Sequence, residues 1–215
     1  METLTKGAFI AALNRMITTF DEQMEALSRM DAAIGDGDHG ISMARGFHSV
    51  AERLRAVADR DIGTIVEMVG SSLTGVIGGA TGPVFGALFT ELASQAKGRE
   101  ALDVADLAEA FRRALDAIQA IGQAKVGDKT MVDALAPMVA ALERAAGEGV
   151  GMDKALEMAL RAAEEGRRST AQMKATKGRA RYLGEKSIGH EDPGAASFVL
   201  IVRALLEGFR AERNG

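Results

Sequence analysis

With 215 residues, 47% of them apolar, the chain is long enough to bury the core of one domain, and the absence of Cys excludes a disulfide framework, a thiolate metal site and a cysteine nucleophile. A net charge of −4 offers no basic excess for a nucleic-acid backbone, and no apolar run reaches the roughly 18 residues that cross a bilayer. Aromatic residues make up only 4% while Ala is abundant, a balance that favours helices over strands.

The start, METLTKGAFIAALNRM, lacks a signal-peptide layout, which makes the cytoplasm the expected compartment. Ile10, Leu13, Ile17, Phe20, Met24 and Leu27 then recur at spacings of three and four, one stripe along a helix. After a Gly-rich break, periodicity predicts helices over 42–57, 61–77 and 83–96, and Val104, Leu107, Phe111, Leu115 and Ile118 form another stripe. Further helices are predicted over 131–147 and 152–176, and Phe198, Val202, Leu205 and Phe209 mark the last. About eight helices with short connections imply antiparallel neighbours in one all-α bundle with little or no sheet. No linker, repeat or low-complexity tract divides the chain, so residues 1–215 read as a single domain.

The three prolines refine this pattern. Pro83 and Pro193 each suit the first position of a helix, where the missing N–H is harmless and Thr or Asp can cap. Pro137 falls inside a helical pattern, where a kink or an end is expected.

Glycine clusters at 35–40, 78–82, 122–127 and 178–194, alongside most of the unusual polar residues; a fifth cluster at 147–151 reads as a plain turn. The first holds Asp31, Asp36 and Asp38. Gly35, Gly37 and Gly40 match G-x-G-x-x-G but follow a helix instead of a strand, and an EF-hand beginning at Asp36 would need Glu where Phe47 stands. Three carboxylates brought together repel unless a cation joins them. Hard oxygen ligands point to Mg²⁺ or Ca²⁺, and the start of the next helix adds an anion site, which together suggest Mg²⁺ and phosphate. The alternative is an acidic turn in which Asp38 caps that helix.

The second cluster, GGATGP, permits either close backbone approach to a ligand or close helix packing. In the third, Gly122 to Thr130, an inserted Asp128 spoils a P-loop match, and Thr130 with Asp133 suits a helix cap. Lys129 there either faces a phosphate or lies in solvent. The last cluster, KATKGRARYLGEKSIGHEDPG, is long enough to be functional, and Tyr182, Leu183 and Ile188 argue for an ordered loop. Arg179 could fork onto a phosphate or belong to a solvated basic face with Arg181 and Lys186; His190 reads as a hydrogen-bonding loop residue.

IGDGDHG at 34–40, GGATGPVFG at 78–86, GDKTMVDAL at 127–135 and GRARYLGEKSIGHEDPGA at 178–195, in this order, resemble the nucleotide-binding (L) subunit of dihydroxyacetone kinase across essentially the whole chain. The resemblance implies a barrel of eight antiparallel amphipathic helices with the nucleotide site in loops at one end. It implies that Asp31, Asp36 and Asp38 hold two Mg²⁺ ions. It also implies that ADP or ATP meets His39, Gly40, Ile41, Ser42, Ala80, Thr81, Gly122, Met131, Arg179, Asp192, Pro193 and Gly194. Ser42 departs from the family's common Asn and lacks its amide donor; Arg181 replaces a frequent small residue.

The implied activity is γ-phosphoryl transfer to dihydroxyacetone held covalently on a separate K subunit, by positioning and charge neutralisation with no nucleophile or base on this chain. A phosphohistidine-carrying M subunit of the phosphotransferase system would recharge bound ADP. Alternatives are an ATP-dependent subunit acting on a tetrulose or other short ketose, and a nucleotide-loaded module docking on a transcription regulator. A homodimer is a further expectation.

Overall fold

A computed structural model describes residues 2–214. A two-residue strand, β1 (Leu4–Thr5), leads into α1 (Lys6–Glu22), whose first turn is capped by the Thr5 hydroxyl accepting from Ala8 N at 3.1 Å. Gln23 alone separates α1 from α2 (Met24–Ala32), so the predicted first helix is one stave with a joint in it. Then follow α3 (His39–Leu54), α4 (Ile62–Val76), α5 (Thr81–Ala96), strand β2 (Ala101–Leu102), α6 (Val104–Gly122), α7 (Val132–Gly147), α8 (Met152–Ser169) and α9 (Pro193–Asn214). Two 3₁₀ stretches, Thr170–Gln172 and Arg179–Ser187, lie between α8 and α9.

Each stave packs on its neighbours in chain order, and α9 returns to pack on α1, closing a ring of helices. That closure rests on small residues: a Cβ on Gly208 of α9 would come within 2.4 Å of the Ala12 backbone nitrogen in α1. All eight phenylalanines are buried. Phe20 of α1 stacks on Phe47 of α3 with centroids 4.4 Å apart, and Phe47 meets Phe89 of α5 edge-on. Phe111 of α6 meets Phe198 of α9 in the same edge-on way. An aromatic-poor chain thus places its phenyl rings where they fill the barrel interior, and alanine lets the staves come close.

Connections in an up-and-down ring alternate between its two ends. The α2–α3, α4–α5, α6–α7 and α8–α9 connections share one end, and these are the four polar Gly clusters. The 147–151 turn joins α7 to α8 at the other end. There the antiparallel pair of β1 and β2, with Leu4 opposite Leu102, ties the chain start to the α5–α6 connection.

Several boundaries differ from the periodicity. The helix predicted over 42–57 begins at His39. The one predicted over 152–176 stops at Ser169, where the chain tightens into a 3₁₀ turn. Pro137 neither ends nor interrupts α7. A proline cannot donate to the carbonyl four residues back, here Asp133, and Gly166 of α8 packs where a Cβ would lie 2.2 Å from that oxygen. The neighbouring helix therefore seats against the carbonyl to which Pro137 cannot donate. Pro193 is the first residue of α9, and Asp192 Oδ2 accepts from Ala195 N at 2.7 Å, the cap expected from sequence. Pro83 is instead the third residue of α5, which begins at Thr81 with no side-chain cap; its missing N–H is still harmless there, because the first four N–H groups of a helix have no partner within it.

Candidate nucleotide and metal site

The four polar connections surround one cleft of about 760 Å³. Its acidic corner is built by the α2–α3 turn. Asp31, the next-to-last residue of α2, is half-buried and Asp36 and Asp38 are exposed, and carboxylate oxygens of all three lie within 4.8 Å of one another. Gly35 is required here, because a Cβ would sit 2.3 Å from Asp31 Oδ1. Asp38 occupies the position before α3 but makes no side-chain cap; the α3 start is instead met by Asp31 Oδ2, which accepts from His39 N at 3.2 Å. The capping alternative for Asp38 therefore fails, and its carboxylate stays free. The Arg179 guanidinium reaches over from the α8–α9 loop, pairs with Asp36 and lies 4.0 Å from Asp38. A cation thus already sits on this cluster, as clustered carboxylates require.

Beside the acidic corner lie helix starts. At the opposite end, α1, α4 and α6 begin under side-chain caps, including a reciprocal Asp103–Asp106 capping box on α6. There α8 begins without one, at Gly151. At the cleft end the start of α5 has no side-chain cap, and that of α3 has only Asp31 Oδ2 on its first N–H. The α7 start is met by Thr130 Oγ1, which accepts from Val132 N at 3.2 Å, while Asp133 Oδ2 accepts from Thr130 N at 2.7 Å, the pairing expected from sequence. The remaining N–H groups and the positive dipole ends of α3 and α5 are left for an anion. Gly78 and Gly79 line the cleft and have open space where a Cβ would be, with Gly79 at φ +66°. Gly82 serves the packing reading instead, since its Cβ would meet the Ile77 carbonyl at 2.1 Å. The far wall is apolar: Ile118, Ala124, Met131 and Val132.

His39 lies under the floor, its Nε2 2.8 Å from Ser197 Oγ. Burial pushes its pKa below the ordinary imidazole value, against the opposing pull of Asp31 and Asp38, so the ring is neutral at pH 7. Asp192 has its pKa pushed up to about 7, first by burial and then by the charges of Asp133 and Asp31, against the Ala195 N–H and Lys129.

Most sequence-predicted residues converge: Asp31, Asp36, Asp38, His39, Ser42, Ala80, Thr81, Gly122, Met131, Arg179, Asp192, Pro193 and Gly194 all line the cleft. Gly40 and Ile41 do not. Gly40 is a packing residue, since a Cβ there would lie 1.9 Å from the Met24 carbonyl, and the Ile41 side chain is 54% exposed. Arg45, Val84 and Phe85 line the cleft unforeseen. Their signal was available, because each lies three or four residues beyond Ser42 or Thr81 on the same helix face. Lys129 is neither solvent-exposed nor free: it is 2% exposed, and its ammonium donates to the backbone carbonyls of Thr170 and His190. Tyr182, Leu183 and Ile188 do not anchor the last loop as the sequence suggests, since Tyr182 is 77% exposed and the other two are also exposed. Hydrogen bonds hold it instead, such as buried Ser187 Oγ accepting from Ala175 N at 2.9 Å.

The DAK2 domain family matches residues 33–207. The chain is 41% identical to the ADP-binding subunit DhaL of the PEP-dependent dihydroxyacetone kinase of Escherichia coli K12, covering 94% of this chain and 97% of that one. The chain belongs to the DhaL family. A second DhaL relative, the ADP-binding subunit of PEP-dependent dihydroxyacetone kinase 1 of Listeria innocua, is 38% identical over 95% of this chain and 98% of its own length. The DhaL fold also recurs in the dihydroxyacetone kinase of Citrobacter freundii, whose complex with AMP-PNP and Mg²⁺ superposes with a TM-score of 0.70 at 26% identity over 92% of this chain. This chain spans about a third of that larger kinase chain. DhaL proteins are subunits of a phosphotransferase, dihydroxyacetone kinase.

Proposed function

We propose that this protein binds ADP or ATP with Mg²⁺ and donates the γ-phosphoryl group to dihydroxyacetone held on a separate K subunit. The observation that carries this is the joining, in one cleft, of three converging carboxylates with the starts of α3 and α5, whose positive dipole ends face the same space. Asp31, Asp36 and Asp38 fit Mg²⁺, here two ions, by their hard oxygen donors, by the Gly35 cradle and by the guanidinium that already sits among them. Ser42, Ala80, Thr81 and Arg179 border the region suited to phosphates; Gly122 and Met131 belong to the apolar wall suited to a base. Mg²⁺ when bound neutralises charge on the β- and γ-phosphoryl oxygens. The protein's part is placement: the starts of α3 and α5 orient the phosphates, Asp192 and Pro193 fix the start of α9, and Arg179 adds positive charge beside the phosphoryl group.

The chain matches end to end relatives named PEP-dependent or PTS-dependent, which favours recharging of bound ADP by a phosphohistidine carrier. Mass spectrometry of nucleotide released from the purified protein tests this. Retained ADP is expected; an empty site that binds ATP reversibly would indicate direct use of ATP, and no nucleotide binding with Mg²⁺ would overturn the proposal. A second reading concerns the sugar. An L-erythrulose 1-kinase of Mycolicibacterium smegmatis is 39% identical over 84% of this chain, so a tetrulose on the partner is the alternative acceptor. Product analysis with each ketose decides between them.

A further inference from the structure

The connection between α8 and α9 leaves the barrel at Thr170 and returns at His190, and it carries Arg179 at the cleft. Its two ends are drawn together at one neck. Gly189 N donates to Ala171 O at 2.7 Å, and Asp192 N donates to Thr170 Oγ1 at 2.9 Å. Arg167 pairs with Glu191 across the same neck at 3.2 Å. Lys129, from a different connection, puts its ammonium between the two sides and donates to the carbonyls of both Thr170 and His190. It does so from φ +61°, a left-handed conformation that glycine or asparagine adopts more readily than lysine. The strain is accepted where only a long cationic side chain reaches both carbonyls. Next to it, Asp128 accepts from Thr176 Oγ1 at 2.6 Å, so the 123–131 connection grips the loop at the neck and again on its outgoing limb.

We propose that Lys129 is a positioning residue that clamps the neck of the 171–189 loop, and so keeps Arg179 and Asp192 over the bound nucleotide. The clamp makes the loop a closed cover and sets how slowly nucleotide leaves. The consequence for nucleotide release rests on the function proposed above; the clamp itself does not.

Two variants and two readouts test this. Lys129→Met removes the ammonium and keeps most of the bulk; Lys129→Gly removes it and relieves the backbone. Trypsin digestion without nucleotide reports the loop directly, since Lys174, Lys177, Arg179, Arg181 and Lys186 all lie on it. Loss of the charged hydrogen bonds predicts cleavage within 174–186 about tenfold faster in both variants, with helix content unchanged. Displacement of a fluorescent ADP with Mg²⁺ predicts dissociation about tenfold faster, with association within about twofold of the unmodified protein. Unchanged cleavage and dissociation alongside a lower melting temperature would reduce Lys129 to a structural residue and overturn the proposal, as would failure of both variants to fold. Faster cleavage in a protein that binds no nucleotide would keep the clamp, overturn its role in nucleotide release and sink the proposed function instead.

Discussion

Asp38 stands where a helix cap belongs and does not cap. Asp31, seven residues earlier, meets the first N–H of α3 in its place, which leaves two exposed carboxylates beside Arg179. Replacing Asp36 or Asp38 by Ala should lower Mg²⁺-dependent nucleotide affinity by at least the roughly 10- to 100-fold that outer-shell metal partners cost, with far-UV circular dichroism unchanged. Calorimetry with and without Mg²⁺ reads this out. Asp192 makes a pH prediction. Its folded pKa of about 7 lies above the ordinary 3.8, so the folded protein holds a proton that the unfolded chain releases. Its stabilising contribution is complete below about pH 3.8 and is lost as pH rises through 7. Asp192→Asn keeps a cap oxygen and removes the titration, so its melting temperature relative to the unmodified protein should climb from pH 5 to pH 8. A constant difference across that range would contradict the assignment.

At the scale of elements, glycine marks close approach as often as it marks loops. Gly208 lets α9 lie on α1 and complete the ring, and Gly166 lets α8 seat against α7 where Pro137 leaves a carbonyl undonated. Both glycines meet backbone atoms, which cannot swing aside as a side chain can. Gly208→Ala should therefore cost about 1–3 kcal/mol, a drop of several degrees in melting temperature by calorimetry for a chain of this length. Helix existence was legible from the three- and four-residue spacing of apolar residues, but the ends of α3 and α8 were not. Those ends depend on hydrogen bonds to residues elsewhere: Asp31 for the start of α3, and the Lys129 and Asp192 contacts at Thr170 for the turn after α8.

Across the whole molecule, the two ends of the barrel are built for different tasks. At one end α1, α4 and α6 start under side-chain caps, and at the other the starts of α3 and α5 face the cleft. Asp103→Ala, which breaks the capping box on α6, should cost about 1 kcal/mol of stability while leaving nucleotide affinity within about twofold. Conversely, Mg²⁺ with ADP at 100 times its dissociation constant should add about 2.7 kcal/mol, a gain that chelation by EDTA abolishes in thermal melts. The sequence by itself determined the all-helical class, the order of staves and the four polar clusters, because apolar periodicity and the pairing of glycine with charge are local properties. It also determined the acidic loop as a hard-cation site or an acidic turn. Only the tertiary structure put a cation beside that loop, because an up-and-down ring brings alternate connections to one end and so sets Arg179 beside Asp36 from 143 residues away. Likewise, only packing turned Lys129 from a lysine in a near-miss phosphate motif into a buried clamp, since the two carbonyls it holds belong to a distant loop.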